Sequence, residues 1–252
     1  MKDLTIIIPV HVFNEKLLKK AINSIPKNSK SKVVIVCPED IANEINNIKL
    51  PNLNYEILVN TGETDVFTQI NLAAKKCSTK FFSILEYDDI YINKWFDNIK
   101  VYTNYYDDIS LFLPLIKLIN YKDETISSLA NELSWSSAFA NENGFIDTDC
   151  LESYYDFFVS GGVFKTEDFN DLGGFKKSLS IASTYELLLR FAHNGKKIFV
   201  IPKIGYAHIF GNPESFSVKE SEKISQKHGE WLTKMAQQEK YFNEDRNIIF
   251  EE

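Results

Sequence analysis

Short apolar runs and amphipathic segments alternate along the first third of the chain. The runs are Ile6–Val10, Val33–Val36, Tyr55–Val59 and Phe81–Leu85. Each is too brief for a helix and rich in β-branched, aliphatic or aromatic residues, so each predicts a strand. The segments between them carry helical spacing. Leu17, Leu18, Ala21, Ile22 and Ile25 share one face of a helix over Glu15–Ile25, with Asn14 placed to cap it and Pro26 to end it. Pro38–Asn47 and Phe67–Lys76 read as two further helices. Strand and helix alternating in this way predict an α/β fold with a mostly parallel sheet flanked by helices.

Beyond Asp89 the pattern loosens. Trp95–Tyr106 has helical spacing and Leu111–Leu115 reads as a strand. Residues 120–158 are polar and aromatic without a clean period, the character of a functional lid in a compact domain. A strand-like pattern returns at Gly161–Phe164. Glu186–His193 reads as a helix closed by Asn194-Gly195, and Ile198–Pro202 as a late strand. Glu220–Tyr241 predicts one charged C-terminal helix carrying Trp231, Met235 and Tyr241-Phe242, packed back on the domain. A homodimer contact is the second reading for that helix.

Composition narrows the function classes. A length of 252 residues fits one large domain or one domain plus an appendage, and 44% hydrophobic residues suffice for a packed core. The net charge of -7 speaks against a general nucleic-acid surface, which needs clustered Lys and Arg. The three cysteines, Cys37, Cys77 and Cys150, are widely spaced and form neither a disulfide framework nor a CxxC pair, so reduced thiols and a cytoplasmic location are expected. No apolar run is long enough for a membrane span, and the first residues lack a cleavable signal pattern.

The chemistry concentrates where the fourth apolar run stops. Leu85 is followed by Glu86-Tyr87-Asp88-Asp89. Carboxylates inside a core would cost several kcal/mol each, on the order of the penalty for burying any unpaired charge, so they are expected at the strand's exit. Open α/β sheets bind ligands there. Acids gathered at one crevice repel unless a cation joins them, and oxygen ligands suit Mg²⁺ or Mn²⁺. The competing reading is a solvated acidic turn, with Asp89 capping a helix over Ile90–Asp97.

The order of motifs over residues 4–210 resembles the family 2 glycosyltransferases of the GT-A fold. Ile8-Pro9-Val10 with Asn14-Glu15 resembles the family's first strand and nucleotide-contacting loop, with about two extra residues. Gly62 and Asn71 with Ala73-Ala74 resemble its glycine–asparagine segment. Leu85–Asp89 resembles its Leu-Asp-x-Asp-Asp signature, with Glu86 in place of the first aspartate. Gly161-Gly162 and Gly173-Gly174 look like acceptor-side glycine motifs. Leu187–Arg190 resembles the helix of the catalytic region, and His208 a late histidine that reaches metal or diphosphate.

The resemblance implies a nucleoside-diphosphate sugar donor, uridine-linked, with Mn²⁺ or Mg²⁺. It implies donor contacts at Pro9, Asn14, Glu15, Gly62, Asn71, Glu86, Tyr87, Gly161 and Gly162, and metal ligands at Asp88, Asp89 and His208. It also implies a nucleotide half at about 1–110, an acceptor half at about 111–218 and a helical extension at 219–252. Two departures stand out. The family's base-reading aspartate falls in Cys37-Pro38-Glu39-Asp40, where Asp40 or Glu39 can substitute. The family's catalytic aspartate falls at Ser183-Thr184, neither of which is a carboxylate. Glu186 is the nearest acid and the first candidate base, with Asp147, Asp149 and Asp156 of the lid as rivals.

Tyr154, Tyr155, Phe157, Phe158 and Trp135 are candidates for stacking on a sugar or base, or for the core. His11 stands near the first strand's exit, His193 suits a helix C-terminus, and His228 falls in the C-terminal helix. Three readings follow. The first is metal-dependent sugar transfer to an acceptor that can be a glycan, a lipid carrier, a protein or a modified nucleobase. The second is a GT-A domain without its base that only binds nucleotide sugars or a partner. The third, a nucleotidyltransferase, wants a glycine-rich basic loop where this chain has His11-Val12-Phe13-Asn14.

Overall fold

The computed structural model describes residues 2–27, 29–50, 53–62, 65–92, 94–120 and 124–238. Its first half runs β1 (Leu4–Pro9), α1 (Glu15–Asn23), β2 (Lys32–Cys37), α2 (Glu39–Asn46), β3 (Tyr55–Val59), α3 (Val66–Lys76), β4 (Phe81–Ile84), β5 (Ile90–Tyr91) and α4 (Trp95–Tyr105). The second half runs β6 (Ile109–Ile119), β7 (Thr125–Ala130), α5 (Thr148–Ser153), β8 (Val163–Lys165), α6 (Thr166–Asp171), α7 (Ser183–His193), β9 (Lys197–Ile209), α8 (Phe216–Lys223) and α9 (Gln226–Ala236).

Among the described residues, nine strands join one sheet in the order β3-β2-β1-β4-β8-β6-β9-β5, with β7 paired to β6. The strands β3, β2, β1 and β4 are parallel, as the alternation predicts. β8 then runs antiparallel to both β4 and β6, while β6 and β9 are parallel again. Every residue of β1 is buried. Ile7 packs with Ile84, Phe164 and Leu187 on one face, while Ile6 and Ile8 pack with Leu18, Ile35 and Tyr206 on the other. This is the alternation of a strand covered on both sides. The chain order reverses about β1, which has β2 on one side and β4 on the other. A crevice therefore opens beyond the carboxyl ends of β1 and β4.

Four local expectations need correction. The late strand does not stop at Pro202 but continues to Ile209. A proline lacks the N–H that a ladder needs, and the pairing with β6 slips between Pro114↔Ile201 and Leu115↔Ile204 before it resumes. That continuation puts His208 on a strand. Second, Asp89 leads directly into β5, antiparallel to β9, and the next helix begins only at Trp95. Third, the span 120–158 contains β7, a 3₁₀ turn at Glu132–Trp135 and α5. Fourth, the C-terminal segment is two helices. Ser225 caps the second by accepting from the His228 N–H at 3.3 Å. The expected boundary at 218/219 falls within α8, and Tyr241-Phe242 lie outside the described residues. Among the described residues, no helix is long and apolar enough to cross a membrane, and the three cysteines are free thiols.

Candidate active site

β4 ends at Ile84, and the Leu85 N–H still donates to Ile7 at 2.9 Å. The next residues fold into a tight turn: the Asp89 N–H donates to the Glu86 carbonyl at 3.1 Å. The Glu86 N–H is held by the phenol oxygen of Tyr206 on β9, 3.0 Å away. Asp89 is fully buried and spends both oxygens on the end of β9. One accepts from the Ile209 N–H and the other from His208 Nδ1, each at 2.8 Å. A carboxylate only accepts, so Nδ1 carries the proton and Nε2 is the nitrogen left for another partner. Glu86, partly exposed, accepts from the Ser160 hydroxyl. One ligand atom each from Glu86, Asp89 and His208 lies within 4.8 Å of the others.

Asp88 has a partner of its own. Its Oδ2 accepts from Asn212 Nδ2 at 2.6 Å, and the same amide nitrogen lies 3.4 Å from the Tyr87 hydroxyl. Burial and the neighbouring Asp89 push Glu86 up to about 7 and Asp88 up to about 6. Burial opposes the charge on His208, but Asp89, Glu86 and Asp88 outweigh it and raise its pKa to about 10. Glu86 and Asp89 thus meet His208 with Asp88 close by, an excess of acids that holds a proton on the imidazole, and a cation bound through Nε2 would take that proton's place. Oxygen donors with one imidazole nitrogen, short of positive charge, fit a divalent cation such as Mn²⁺ or Mg²⁺.

Ser160 and His208 also line a cavity of about 410 Å³ that Glu86 enters from the same side. Val66, Ile70 and Phe175 form an apolar wall, and Asp156 and Thr184 bring further polar groups. Tyr155, Phe157 and Phe158 line this cavity too, whereas Trp135 packs on Phe199 and donates to the Val200 carbonyl. Across the crevice runs a strap, residues 210–217. Asn212 holds Asp88, the Glu214 carbonyl accepts from His11 Nε2 at 3.0 Å, and Phe216 meets the rings of His11 and Phe67 edge-on. His11 is therefore only partly exposed, and burial lowers its pKa.

Several expected contacts have other partners. Glu186, the first candidate base, is enclosed by cations. It is fully buried, its oxygens are bonded by Arg190 Nε and Nη2 at 2.9 and 2.8 Å, and Lys176 lies 3.2 Å away. Full burial against these cations keeps both oxygens from solvent and from an incoming acceptor hydroxyl. Arg190 also donates to the carbonyls of Leu172 and Gly174, which clamps the glycine turn to α7. Asn71, expected as a donor contact, forms the other half of that clamp, with Nδ2 donating to the Phe175 carbonyl and Oδ1 accepting the Phe175 N–H, both at 2.8 Å. A Cβ on Gly174 would lie 2.3 Å from Asn71 Oδ1.

Gly161 and Gly162, expected as donor contacts, sit where the packing leaves no room for a side chain. Gly161 has φ +71°, and a Cβ there would fall 2.5 Å from the Tyr206 ring. A Cβ on Gly162 would meet the Val159 carbonyl at 2.7 Å. Asn14 caps α1 through the Leu17 N–H, and Glu15 pairs with Lys19 on the surface at 2.5 Å. Pro9 is buried at the end of β1, and Asp40 is exposed in the first turn of α2. The Gly62 N–H donates to Asn60 Oδ1 at 3.1 Å, beside a groove shared with Phe67 and Phe216. Of the lid acids, Asp147 caps α5, and both Asp147 and Asp149 accept from Asn141. Tyr206, Ser160 and Asn212 were not singled out from the sequence. Only Asn212, four positions after His208, carries any signal by its place.

Among solved structures, the chain is similar to S. aureus TarS 1-349 in complex with UDP-GlcNAc. The TM-score is 0.61 and the identity 18%, over 85% of this chain and 60% of that one. The chain has the GT-A glycosyltransferase fold. The mannosyltransferase PcManGT from Pyrobaculum calidifontis, in complex with GDP-Man and Mn²⁺, is similar with a TM-score of 0.59 at 14% identity, over 84% of this chain and 58% of that one. This GT-A chain thus spans about 60% of the length of those two. No family model and no curated protein sequence matches it.

Proposed function

We propose that this protein transfers a sugar from a nucleoside-diphosphate sugar, uridine-linked, to an acceptor hydroxyl, with Mn²⁺ or Mg²⁺ as cofactor. The observation that carries the reading is the meeting of Glu86, Asp89 and His208 at the switch point of the sheet. Such crevices take nucleotides, and the acids there lack the positive charge to balance them. TarS bound to UDP-GlcNAc and PcManGT bound to GDP-Man and Mn²⁺ share the fold, which supports the choice of donor class.

Glu86, through its carboxylate, and His208, through Nε2, would hold the cation, and Asp88 would join them on parting from Asn212. A divalent cation at this position supplies charge neutralisation to a departing diphosphate. Asp89 orients His208 and fixes its tautomer. Ser160 fixes Glu86. The half-buried His11 and the rings of Phe67 and Phe216 flank the place where a base would lie. The aromatic cavity wall suits the apolar face of a sugar ring.

The test is release of UDP or GDP from UDP-GlcNAc and GDP-mannose with Mn²⁺. Activity that EDTA abolishes and Asp89→Asn or His208→Ala lowers by about a hundredfold, the size of one lost electrostatic group, supports the reading. Tight UDP binding without turnover of any donor would favour the nucleotide-sugar-binding reading that Ser183-Thr184 keeps open. Absence of both UDP and GDP binding would remove the reading altogether.

A further inference from the structure

Direct displacement at a sugar carbon needs a base on the face opposite the leaving group. The cavity that receives Glu86 and His208 bounds the choice. Among its described lining residues the carboxylates are Glu86 and Asp156. Glu86 is bonded to Ser160 and gathered with Asp89 and His208, on the diphosphate side. His208 holds its proton toward Asp89. The Tyr185 hydroxyl donates to the Leu151 carbonyl at 2.9 Å. Thr184 and Ser217 offer hydroxyls, which are no bases at neutral pH. Glu186, the nearest acid along the chain to Thr184, is sealed against Arg190.

We infer that Asp156 is the catalytic base, taking the acceptor's proton within the cavity it lines together with Glu86 and His208. This rests on the proposed sugar transfer. In the step, the acceptor O–H bond breaks and its proton passes to an Asp156 oxygen. The acceptor oxygen forms the new bond to the anomeric carbon. The bond from that carbon to the diphosphate oxygen breaks, and its electron pair leaves with the nucleoside diphosphate. The sugar is therefore delivered with inversion. Asp156 is exposed to solvent while it lines the cavity, and its partial desolvation there raises the carboxyl above the ordinary aspartate value, which strengthens it as a proton acceptor.

The position is not the only one from which a carboxylate could serve. Thr184 lines the same cavity from the start of α7, so a carboxylate moved there meets the same space. This gives a test that a merely structural Asp156 would fail. With water as the stand-in acceptor, hydrolysis of UDP-GlcNAc and GDP-mannose is followed for wild type, Asp156→Asn and the double variant Asp156→Asn with Thr184→Asp. UDP binding and unfolding are measured alongside.

Asp156→Asn is expected to slow turnover by about a hundredfold or more, as removal of a general base does, with UDP affinity and unfolding midpoint unchanged. The double variant is expected to regain at least tenfold of that loss. Turnover by Asp156→Asn at the wild-type rate overturns the assignment. So does a loss that tracks reduced UDP binding or stability, because that marks a structural role. A wild-type protein that turns over neither donor, with or without UDP binding, removes the sugar-transfer reading and the assignment with it, whereas wild-type turnover that Asp156→Asn leaves intact overturns the base alone, and so separates the two failures.

Discussion

Glu186 illustrates how one side chain's surroundings decide its chemistry. Its place near the start of α7 suggests a base, yet Arg190 and Lys176 enclose it. Breaking a buried pair by removing one charge costs about 3–5 kcal/mol, because the partner is left uncompensated. Glu186→Gln is therefore expected to lower stability by about 3 kcal/mol in denaturant titration while UDP affinity in the folded fraction stays unchanged. Retained stability with lost turnover would restore Glu186 as the base. Asp168 makes a second case, with a pH signature. Burial works against its carboxylate, but hydrogen bonds from Lys196 and Ser110 and the charge of Lys165 outweigh it and hold its pKa below the usual value. A folded pKa below the unfolded one stabilises the fold above the unfolded value, about 3.9, and that stability is lost as pH falls through the folded pKa. Stability measured from pH 5 downward should fall more steeply in wild type than in Asp168→Asn. Identical slopes would remove the pair's contribution.

Helices and strands show why much of this fold was legible and the rest was not. Strands β1 to β4 and their helices follow a local period, which residues such as Leu18, Ala21 and Ile22 display directly. The carboxylates at the exit of β4 were legible for a related reason: charge ending an apolar run is a local contrast. What was not legible depends on partners far along the chain. Pro202 reads as a strand's end, yet pairing with β6 carries the strand past it through a slip in register. The gap between α8 and α9 rests on the Ser225 cap, a short-range cue masked by the charged pattern around it. Asn71 and Gly174 lie 103 positions apart and reveal their clamp only in three dimensions. The strap 210–217 is of this kind, and it makes its own prediction. Its Asn212 amide occupies Asp88, so a diphosphate and cation must displace it. A hydrogen bond to a charged group contributes about 1.5–3 kcal/mol. Asn212→Ala should therefore lower the unfolding midpoint yet tighten UDP binding with Mn²⁺ by about tenfold, about 1.4 kcal/mol, as calorimetry would read it. Weaker binding would make Asn212 a contact to the donor rather than its competitor.

The whole molecule joins two halves of a sheet at one acidic point. Glu86, Asp88 and Asp89 belong to the parallel half, while His208 and Asn212 come from the far side of β9, 119 and 124 positions from their partners. The ligand atoms of Glu86, Asp89 and His208 approach each other only when both halves are folded and docked. In an unfolded chain, loops of that length carry a large closure entropy, so the same cluster has little affinity for a cation there. A ligand that binds the folded state alone stabilises it by mass action, about 2.7 kcal/mol when its concentration is a hundred times its Kd. For a chain of this size, each kcal/mol moves the unfolding temperature by about 2–4 °C. Mn²⁺ at that excess should therefore raise the midpoint by roughly 5–10 °C, with EDTA returning it to the starting value. The gain should shrink in Asp89→Asn and in His208→Ala relative to each variant's own metal-free midpoint. Equal midpoints with and without Mn²⁺, across concentrations up to several millimolar, would mean that the acids meet only to hold β4 against β9, with Asp89 as a strut and no cation to serve.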